Sequence, residues 1–351
     1  MKRICFIGGG LKGGGQERAL SSMANYYAKK DYTVSVINLF RTEQFFELDN
    51  RIQVFWPKIN RQKYNRIVYA LLTIPYLRKA VKDFNPDVLL SYGDWFNPFV
   101  IFATKGMKKK IYVFDRMGPG INLGYLINNA RKLTYRLADG VVVQTQIAAN
   151  IVRHQTKAKN IKVLPNPVNV INIERIEKKN QIVTLGRLSK EKGHLILIKA
   201  FDLIPDTRWT LHIIGDGPER SKLEKETEQL GLLNRVIFHG HKKDFSEILG
   251  QSEIFVLPSF YEGYPNALLE AMSVPLACIC SDCIAGPSDI IDNGENGLLV
   301  ETGNIELLSE AINSLIMNES VRNKLAMNAY KVRETNSFER ISNIYTEFFL
   351  S

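Results

Sequence analysis

Two glutamates, Glu262 and Glu270, stand with seven residues between them in the run Pro258-Ser259-Phe260-Tyr261-Glu262-Gly263-Tyr264-Pro265-Asn266-Ala267-Leu268-Leu269-Glu270-Ala271-Met272. Proline suits the first position of a helix, because its missing N–H would have no partner there. Pro265 is therefore expected to open a helix built from the residues that follow. Glu262 then lies in the loop before that helix, and Glu270 more than one turn inside it. Amides at a helix start lack intrahelical partners and attract anions, so the run reads as a phosphate cradle with a carboxylate on each side. A capped helix with two incidental glutamates is the alternative. Upstream, in Gly186-Arg187-Leu188-Ser189-Lys190-Glu191-Lys192-Gly193, Arg187 follows an expected strand and Lys192 begins an expected helix. Two fixed cations there could neutralise a diphosphate; the alternative is a pair of solvated surface charges. A third cluster, Gly8-Gly9-Gly10-Leu11-Lys12-Gly13-Gly14-Gly15-Gln16-Glu17-Arg18, also falls between a strand and a helix, where glycines let backbone amides approach a phosphate. A dinucleotide fingerprint would need an acidic residue closing the second strand. Leu39-Phe40-Arg41 stands there instead, which argues against NAD.

The elements that must position these residues alternate. Residues 3–8 are apolar and end in glycine, residues 16–29 have helical spacing at Leu20, Met23, Ala24 and Tyr27, and residues 33–39 are rich in Val and Ile. Further strands are expected at 87–90, 110–114, 140–143 and 161–164, with helical patterns between most of them. Asn166-Pro167-Val168 stops the alternation, and the charged stretch Glu174-Arg175-Ile176-Glu177-Lys178-Lys179-Asn180 reads as a linker. Strands are expected again at 181–186, 209–215, 235–239 and 254–257, and helices at 193–203, 218–230 and 244–250. Such alternation specifies a parallel sheet with helices on both faces. The fold class is α/β, with two doubly wound domains in series, and the cleft between them is the expected ligand site.

A chain of 351 residues suits two domains, and 45% hydrophobic with 23% charged residues is a globular composition. The longest nearly apolar run, Ile67 to Leu77, is too short to span a bilayer. The start, Met1-Lys2-Arg3-Ile4-Cys5-Phe6-Ile7, has too little apolar length for a signal peptide, so a cytoplasmic chain is expected. The net charge of +10 is uneven: residues 1–170 hold 27 Lys and Arg against 10 Asp and Glu, and residues 171–351 hold 19 against 26. A basic first half could meet nucleic acid, but no zinc-finger, RNA-recognition or basic-zipper pattern is present. An anionic bilayer or a phosphate-bearing acceptor explains it as well. The segment 62–84 mixes Lys63, Arg66, Arg78, Lys79 and Lys82 with Tyr64, Ile67, Leu71, Leu72 and Tyr76. It is either a basic amphipathic membrane surface or an ordinary domain helix that Pro75 interrupts. Cys278, Cys280 and Cys283 cluster, but no second ligand pair follows, and Val274 to Cys280 reads as a buried strand in which Cys is a small hydrophobe.

The order and spacing of these motifs resemble glycosyltransferase family 4, the large retaining group of the GT-B fold. The resemblance spans essentially the whole chain and is strongest over 182–300. It is carried by Gly13-Gly14-Gly15-Gln16-Glu17-Arg18, Gly186-Arg187-Leu188…Lys192-Gly193, Gly215-Asp216-Gly217-Pro218, Glu262-Gly263-Tyr264-Pro265-Asn266…Glu270-Ala271, Ala285-Gly286-Pro287-Ser288-Asp289-Ile290-Ile291 and Asn296-Gly297-Leu298-Leu299-Val300. It implies two Rossmann-like domains facing across a cleft: an acceptor domain over 1–168, onto which a helix at about 335–351 packs back, and a nucleotide-sugar donor domain over 169–334. It implies that Arg187 and Lys192 hold the diphosphate and stabilise it as it leaves, that Glu270 binds the ribose, and that Glu262 faces the donor sugar. Amides around Gly263, Tyr264, Asn266, Ala267 and Leu268, in the loop that holds Pro265, would bind phosphate or sugar oxygens. Gly14 and Gly15 would lie across the cleft, and the base would rest near Gly215 and Gly240-His241. No metal or other cofactor is implied, because the cations do that work.

Many relatives carry a His after the strand that here reads Lys110-Ile111-Tyr112-Val113-Phe114, whereas this chain has Asp115-Arg116-Met117. Arg116 does not deprotonate in proteins and so is no base. It could bind an acceptor phosphate, with Asp115 orienting it or an acceptor hydroxyl; a loop ion pair is the alternative. A glycosidase-like role for the two glutamates is rejected, since hydrolysis of a sugar–sugar bond has no use for diphosphate-binding cations. The expectation is a retaining transferase moving a hexose or N-acetylhexosamine from a UDP-sugar to a growing glycan, with a polyprenyl-diphosphate-linked acceptor, peripheral to the cytoplasmic face of an anionic membrane and without nucleic acid. The alternatives are a soluble or protein acceptor, or a nucleotide-sugar-binding subunit without turnover.

Overall fold

Strands buried on both faces read as unbroken apolar runs, and the side chains of each alternate between two cores. In the computed structural model, which describes residues 2–116, 118, 122–173 and 177–350, β1 (Arg3–Gly8) sends Ile4 and Phe6 into one core and Cys5 and Ile7 into the other. The chain forms two units, residues 1–166 with 338–351, and residues 167–337.

Unit 1 continues through α1 (Gly15–Lys29), β2 (Thr33–Asn38), β3 (Gln53–Phe55), α2 (Arg66–Phe84), β4 (Val88–Tyr92), α3 (Asn97–Thr104), β5 (Lys110–Phe114), α4 (Tyr125–Thr134), β6 (Gly140–Val143), α5 (Gln146–Gln155) and β7 (Ile161–Val163). All strands are parallel in the order β3-β2-β1-β4-β5-β6-β7, so the connections reverse direction between β1 and β4. In register, Gly8 at the end of β1 faces Asn38 on one side and Tyr92 on the other. One face packs α1 through Leu20, Met23 and Tyr27; the other packs α2, α3 and α5 through Leu77, Val81, Val100 and Val152.

Unit 2 runs β8 (Gln181–Leu185), α6 (His194–Asp202), β9 (Thr210–Ile214), α7 (Arg220–Gln229), β10 (Val236–Gly240), α8 (Ser246–Gln251), β11 (Ile254–Leu257), α9 (Asn266–Met272), β12 (Ala277–Ser281), β13 (Leu298–Val300), α10 (Ile305–Met317), α11 (Glu319–Tyr330) and α12 (Val332–Thr335). Its parallel order is β10-β9-β8-β11-β12-β13, with the switch between β8 and β11. The last helix, α13 (Phe338–Leu350), belongs to unit 1. Its Ile341, Tyr345 and Phe349 form a buried stripe at helical spacing, each contributing roughly 1.5–3 kcal/mol by leaving water. Tyr345 also donates to the Pro165 carbonyl at 3.1 Å, and Tyr27 to that of Ser342 at 3.2 Å.

Two local expectations change. Pro75 does not interrupt α2. Asn65 caps the start through the amides of Ile67 and Val68, and the buried residues Thr73, Leu77, Ala80 and Phe84 hold the helix through the proline. The charged stretch read as a linker is tied to unit 2 in its described part, 177–180: Lys178 Nζ donates to the Ser252 carbonyl at 2.6 Å and the Lys179 amide to that of Gln251 at 2.8 Å. Its other members, Glu174, Arg175 and Ile176, lie outside the described residues, as does Met117 of the Asp115-Arg116-Met117 run. Cys278 and Cys280 point into one apolar core from β12. Among the described residues no group of three or more His, Cys, Asp or Glu is arranged to hold a metal ion, and no helix is long and apolar enough to cross a membrane.

Candidate active site

In an open parallel sheet, ligands bind beyond the carboxyl ends of the strands at the switch point. In unit 2 that point lies between β8 and β11, the strands whose loops carry the sequence motifs. The β8 loop runs through Arg187 into a short 3-10 turn, Lys190–Lys192, and the β11 loop carries Glu262. The two loops are joined. Lys192 Nζ donates to Glu262 Oε1 at 2.7 Å, Ser259 Oγ donates to the same oxygen at 2.7 Å, and the Phe260 amide donates to the Glu191 carbonyl at 2.8 Å. Glu262 is 9% exposed. The two residues are seventy apart in sequence, and nothing in their local spacing announces the contact; only the adjacency of β8 and β11 does.

Glycine permits this approach at two positions. A Cβ on Gly193, at φ +66, would fall 2.0 Å from the Pro258 carbonyl oxygen, and one on Gly215, at φ +146, would fall 1.8 Å from the Gly186 carbonyl oxygen. Both conformations are strained for other residues. The Gly215 amide in turn donates to the Gly240 carbonyl at 2.9 Å, bringing those two predicted residues together. His241, beside them, is exposed. Arg187 is exposed as well, and its charge reaches Glu191. Burial would raise the Glu191 pKa, but hydrogen bonds from Ser189 and the backbone, with Lys192 and Arg187 nearby, hold it below the ordinary range. His194, 3% exposed at the start of α6, is pushed down to about 4 by burial and by Lys192, so it is neutral near pH 7.

Pro265 precedes α9 as its cap rather than opening it, with ψ 100, and α9 has only seven residues. So short a helix carries little macrodipole, and the Leu268 amide already donates to the Pro265 carbonyl at 3.1 Å. Leu268 is therefore withdrawn as an anion donor. Among the described residues the Gly263 and Ala267 amides donate to no backbone carbonyl. Tyr264 and Asn266 are partly exposed in the same loop, and Glu270 is buried within α9 at 2% exposure. Fixed positive charge at this site comes from side chains more than from the helix start.

In unit 1, Gly14 caps α1 and Gly15 begins it. Asp115 and Arg116 follow β5, but they are not each other's ion pair. Asp115, 5% exposed, is bound by the Arg131 guanidinium and accepts from Tyr135 Oη at 3.1 Å. The Arg116 guanidinium donates to Asn166 Oδ1 and lies over the rings of Tyr92 and Phe114, 5.3 and 6.0 Å from their centroids. Asp115 therefore does not orient the Arg116 side chain. Sequence reasoning missed the contact made by Ser259, inside the opening run, and missed Arg131 and Asp94, which sit in no motif.

A family model described as glycosyl transferases group 1 matches residues 169–332, and one described as glycosyltransferase family 4 matches residues 13–171. The chain belongs to glycosyltransferase family 4. This glycosyltransferase is 28% identical over 338 residues to an alpha-1,4-N-acetyl-D-galactosaminyltransferase of Campylobacter jejuni, with 94% of this chain and 93% of that protein covered; the acceptor in that protein's name is a glycan on PP-undecaprenol. It is 29% identical to the lipopolysaccharide 1,6-galactosyltransferase of Salmonella typhimurium, with 90% of each chain covered. Anabaena HepE, solved in complex with UDP, has the same fold, with a TM-score of 0.84 at 20% identity and 99% of each chain covered. The expected GT-B class of two Rossmann-like domains is borne out.

Proposed function

We propose that this glycosyltransferase moves a hexose or N-acetylhexosamine from a UDP-sugar to a growing glycan carried on a polyprenyl diphosphate, with retention of the anomeric configuration. The observation that carries the reading is the Lys192–Glu262 pair at the switch point of unit 2. An ammonium has three donors. One is held by Glu262, which aims the other two, and with Arg187 they supply positive charge for a diphosphate. Both hydrogen bonds to Glu262 named above end on Oε1, which leaves Oε2 to accept from donor-sugar hydroxyls. Glu270 takes the ribose hydroxyls, and the Gly263 and Ala267 amides take phosphate or sugar oxygens.

In the reaction the bond from the anomeric carbon to the UDP oxygen breaks, and negative charge grows on the phosphate, where Lys192 and Arg187 stabilise it. The acceptor oxygen bonds to the same face of that carbon, and its proton passes to the departing phosphate. Neither glutamate acts as a nucleophile, and no metal takes part. The UDP bound to Anabaena HepE and the lipid diphosphate in the Campylobacter enzyme's name support the choice of donor and acceptor. Two helices of unit 1 expose apolar side chains beside cations: Ile67, Val68, Leu71 and Leu72 with Arg66 on α2, and Tyr125, Leu126 and Leu133 with Lys132 on α4. This supports peripheral attachment to an anionic cytoplasmic leaflet. Proton NMR of the product from an α-linked UDP-sugar tests retention: an α-linkage is expected, and a β-linkage overturns it. Flotation with anionic vesicles at low salt tests the membrane reading, and no flotation refutes it.

A further inference from the structure

Asp94 follows β4 in Gly93-Asp94-Trp95-Phe96, at the carboxyl edge where β4 lies between β1 and β5. Its side chain is fully buried. Oδ2 accepts from Gln16 Nε2 at 3.0 Å, directly beyond the glycine turn that ends in Gly14 and Gly15. Oδ1 accepts from the Arg116 backbone amide at 2.9 Å. The Asp115 carboxyl neighbours it and raises its pKa. One side chain thus ties the turn after β1 to the Asp115–Arg116 loop after β5.

The charges around it are already committed. The Arg131 guanidinium is bound to Asp115, which also holds Tyr135 Oη. The Arg116 guanidinium turns to Asn166 and over Tyr92 and Phe114. Arg131, bound to Asp115, also exerts its charge on Asp94, but one guanidinium beside two buried carboxyls leaves them only partly compensated. Burial and the neighbouring Asp115 hold the Asp94 pKa well above the usual carboxylate range. It accepts from both N–H groups, and in its neutral form would have an O–H to offer Asp115.

We propose that Asp94, buried and bound by both Gln16 and the Arg116 amide, is the positioning residue that locks the Arg116 loop against the glycine turn and so sets the acceptor-binding face of unit 1. This rests on the reading above that the Asp115–Arg116 loop serves the acceptor. Asp94 touches no substrate. Ionisation removes its O–H donor and sets two like charges together, so the lock loosens as pH rises, while the donor site on unit 2 is unaffected.

The test compares D94L and D94N with the wild type from about pH 6 to about pH 10. Acceptor KM, kcat, UDP release without acceptor and thermal unfolding are measured for each. D94L is expected to raise acceptor KM about tenfold or more, while UDP release without acceptor stays within about threefold. In D94N the amide keeps a donor for Asp115 and an oxygen for the loop, so acceptor KM stays within about threefold at neutral pH and the alkaline decline of the wild type disappears. An unchanged acceptor KM in D94L, or an alkaline decline that persists in D94N, overturns the proposal. If both variants melt like the wild type but lose donor hydrolysis as much as transfer, the acceptor assignment of this loop is what fails. If D94L does not fold, the pH profile of D94N decides alone.

Discussion

Replacing Lys192 by alanine removes one ammonium from two tasks. Without substrate, that ammonium and Ser259 Oγ each donate to Glu262 Oε1 at 2.7 Å. The Glu262 side chain is 9% exposed and that of Lys192 26%. Alanine leaves a nearly buried carboxylate with one neutral donor. A buried acceptor deprived of its partner costs ~1–3 kcal/mol, and the partial exposure of the lysine places this change in the lower half of that range. At roughly 2–4 °C per kcal/mol for a unit of this size, the melting temperature should fall by about 2–8 °C. In turnover, losing a group aimed at charge that develops in the transition state costs ~2.7–4 kcal/mol, or about 10²–10³ in kcat. The assay follows UDP release and product formation for K192A, E262Q and the double variant, each with a melting curve. Glutamine in place of Glu262 carries no charge to be stranded, so the double variant should regain most of the lost stability and stay slow. Wild-type turnover in K192A refutes the diphosphate role. Recovery of turnover along with stability in the double variant shows instead that the lysine is only a counter-ion for Glu262.

Gly215→Ala puts a Cβ 1.8 Å from a backbone oxygen at φ +146, so it should lower unfolding free energy by more than the ~1–3 kcal/mol of simple backbone strain, seen as a lower melting temperature, and UDP should protect it less than the wild type. His194 is held at about 4 in the folded protein against 6.5. Its stabilisation is therefore complete above about pH 6.5 and is lost as pH falls toward about 4, by up to ~3 kcal/mol; H194Q should flatten that slope in urea titrations at each pH. All four thiols are buried, and burial pushes Cys283 up to about 11 and Cys5 up to about 12. A thiol reagent at about pH 8 should leave the native protein unlabelled and label all four cysteines in denaturant; rapid native labelling contradicts the burial.

The doubly wound class was legible because fully buried parallel strands write themselves as apolar runs, and residues 110–114, 140–143 and 254–257 match β5, β6 and β11. β3, with three residues and no buried side chain, left no such trace. Pro75 misled because local propensity was overruled by an inward face that α2 buries against the sheet. Candidate site residues were proposed where glycine or charge spacing is local, as at Arg187, Lys192 and Glu262, and the structure brings Lys192 and Glu262 into contact. The Lys192–Glu262 pair and the Asp94 tie lie across neighbouring strands, seventy and twenty-two residues apart in sequence, and only strand order brings them together. The pairing of Asp115 was misjudged for the same reason, because its partner Arg131 comes from α4 rather than from its own loop.

The proposed function requires a nucleoside diphosphate held at the unit 2 switch point by Arg187 and Lys192. The most direct measurement is nucleoside diphosphate release from a panel of UDP-, GDP- and ADP-sugars, by wild type and K192A in parallel. Release from at least one UDP-sugar is expected, slowed about 10²–10³-fold in K192A. Release confined to GDP- or ADP-sugars, or UDP release equally fast in K192A, contradicts the proposed function.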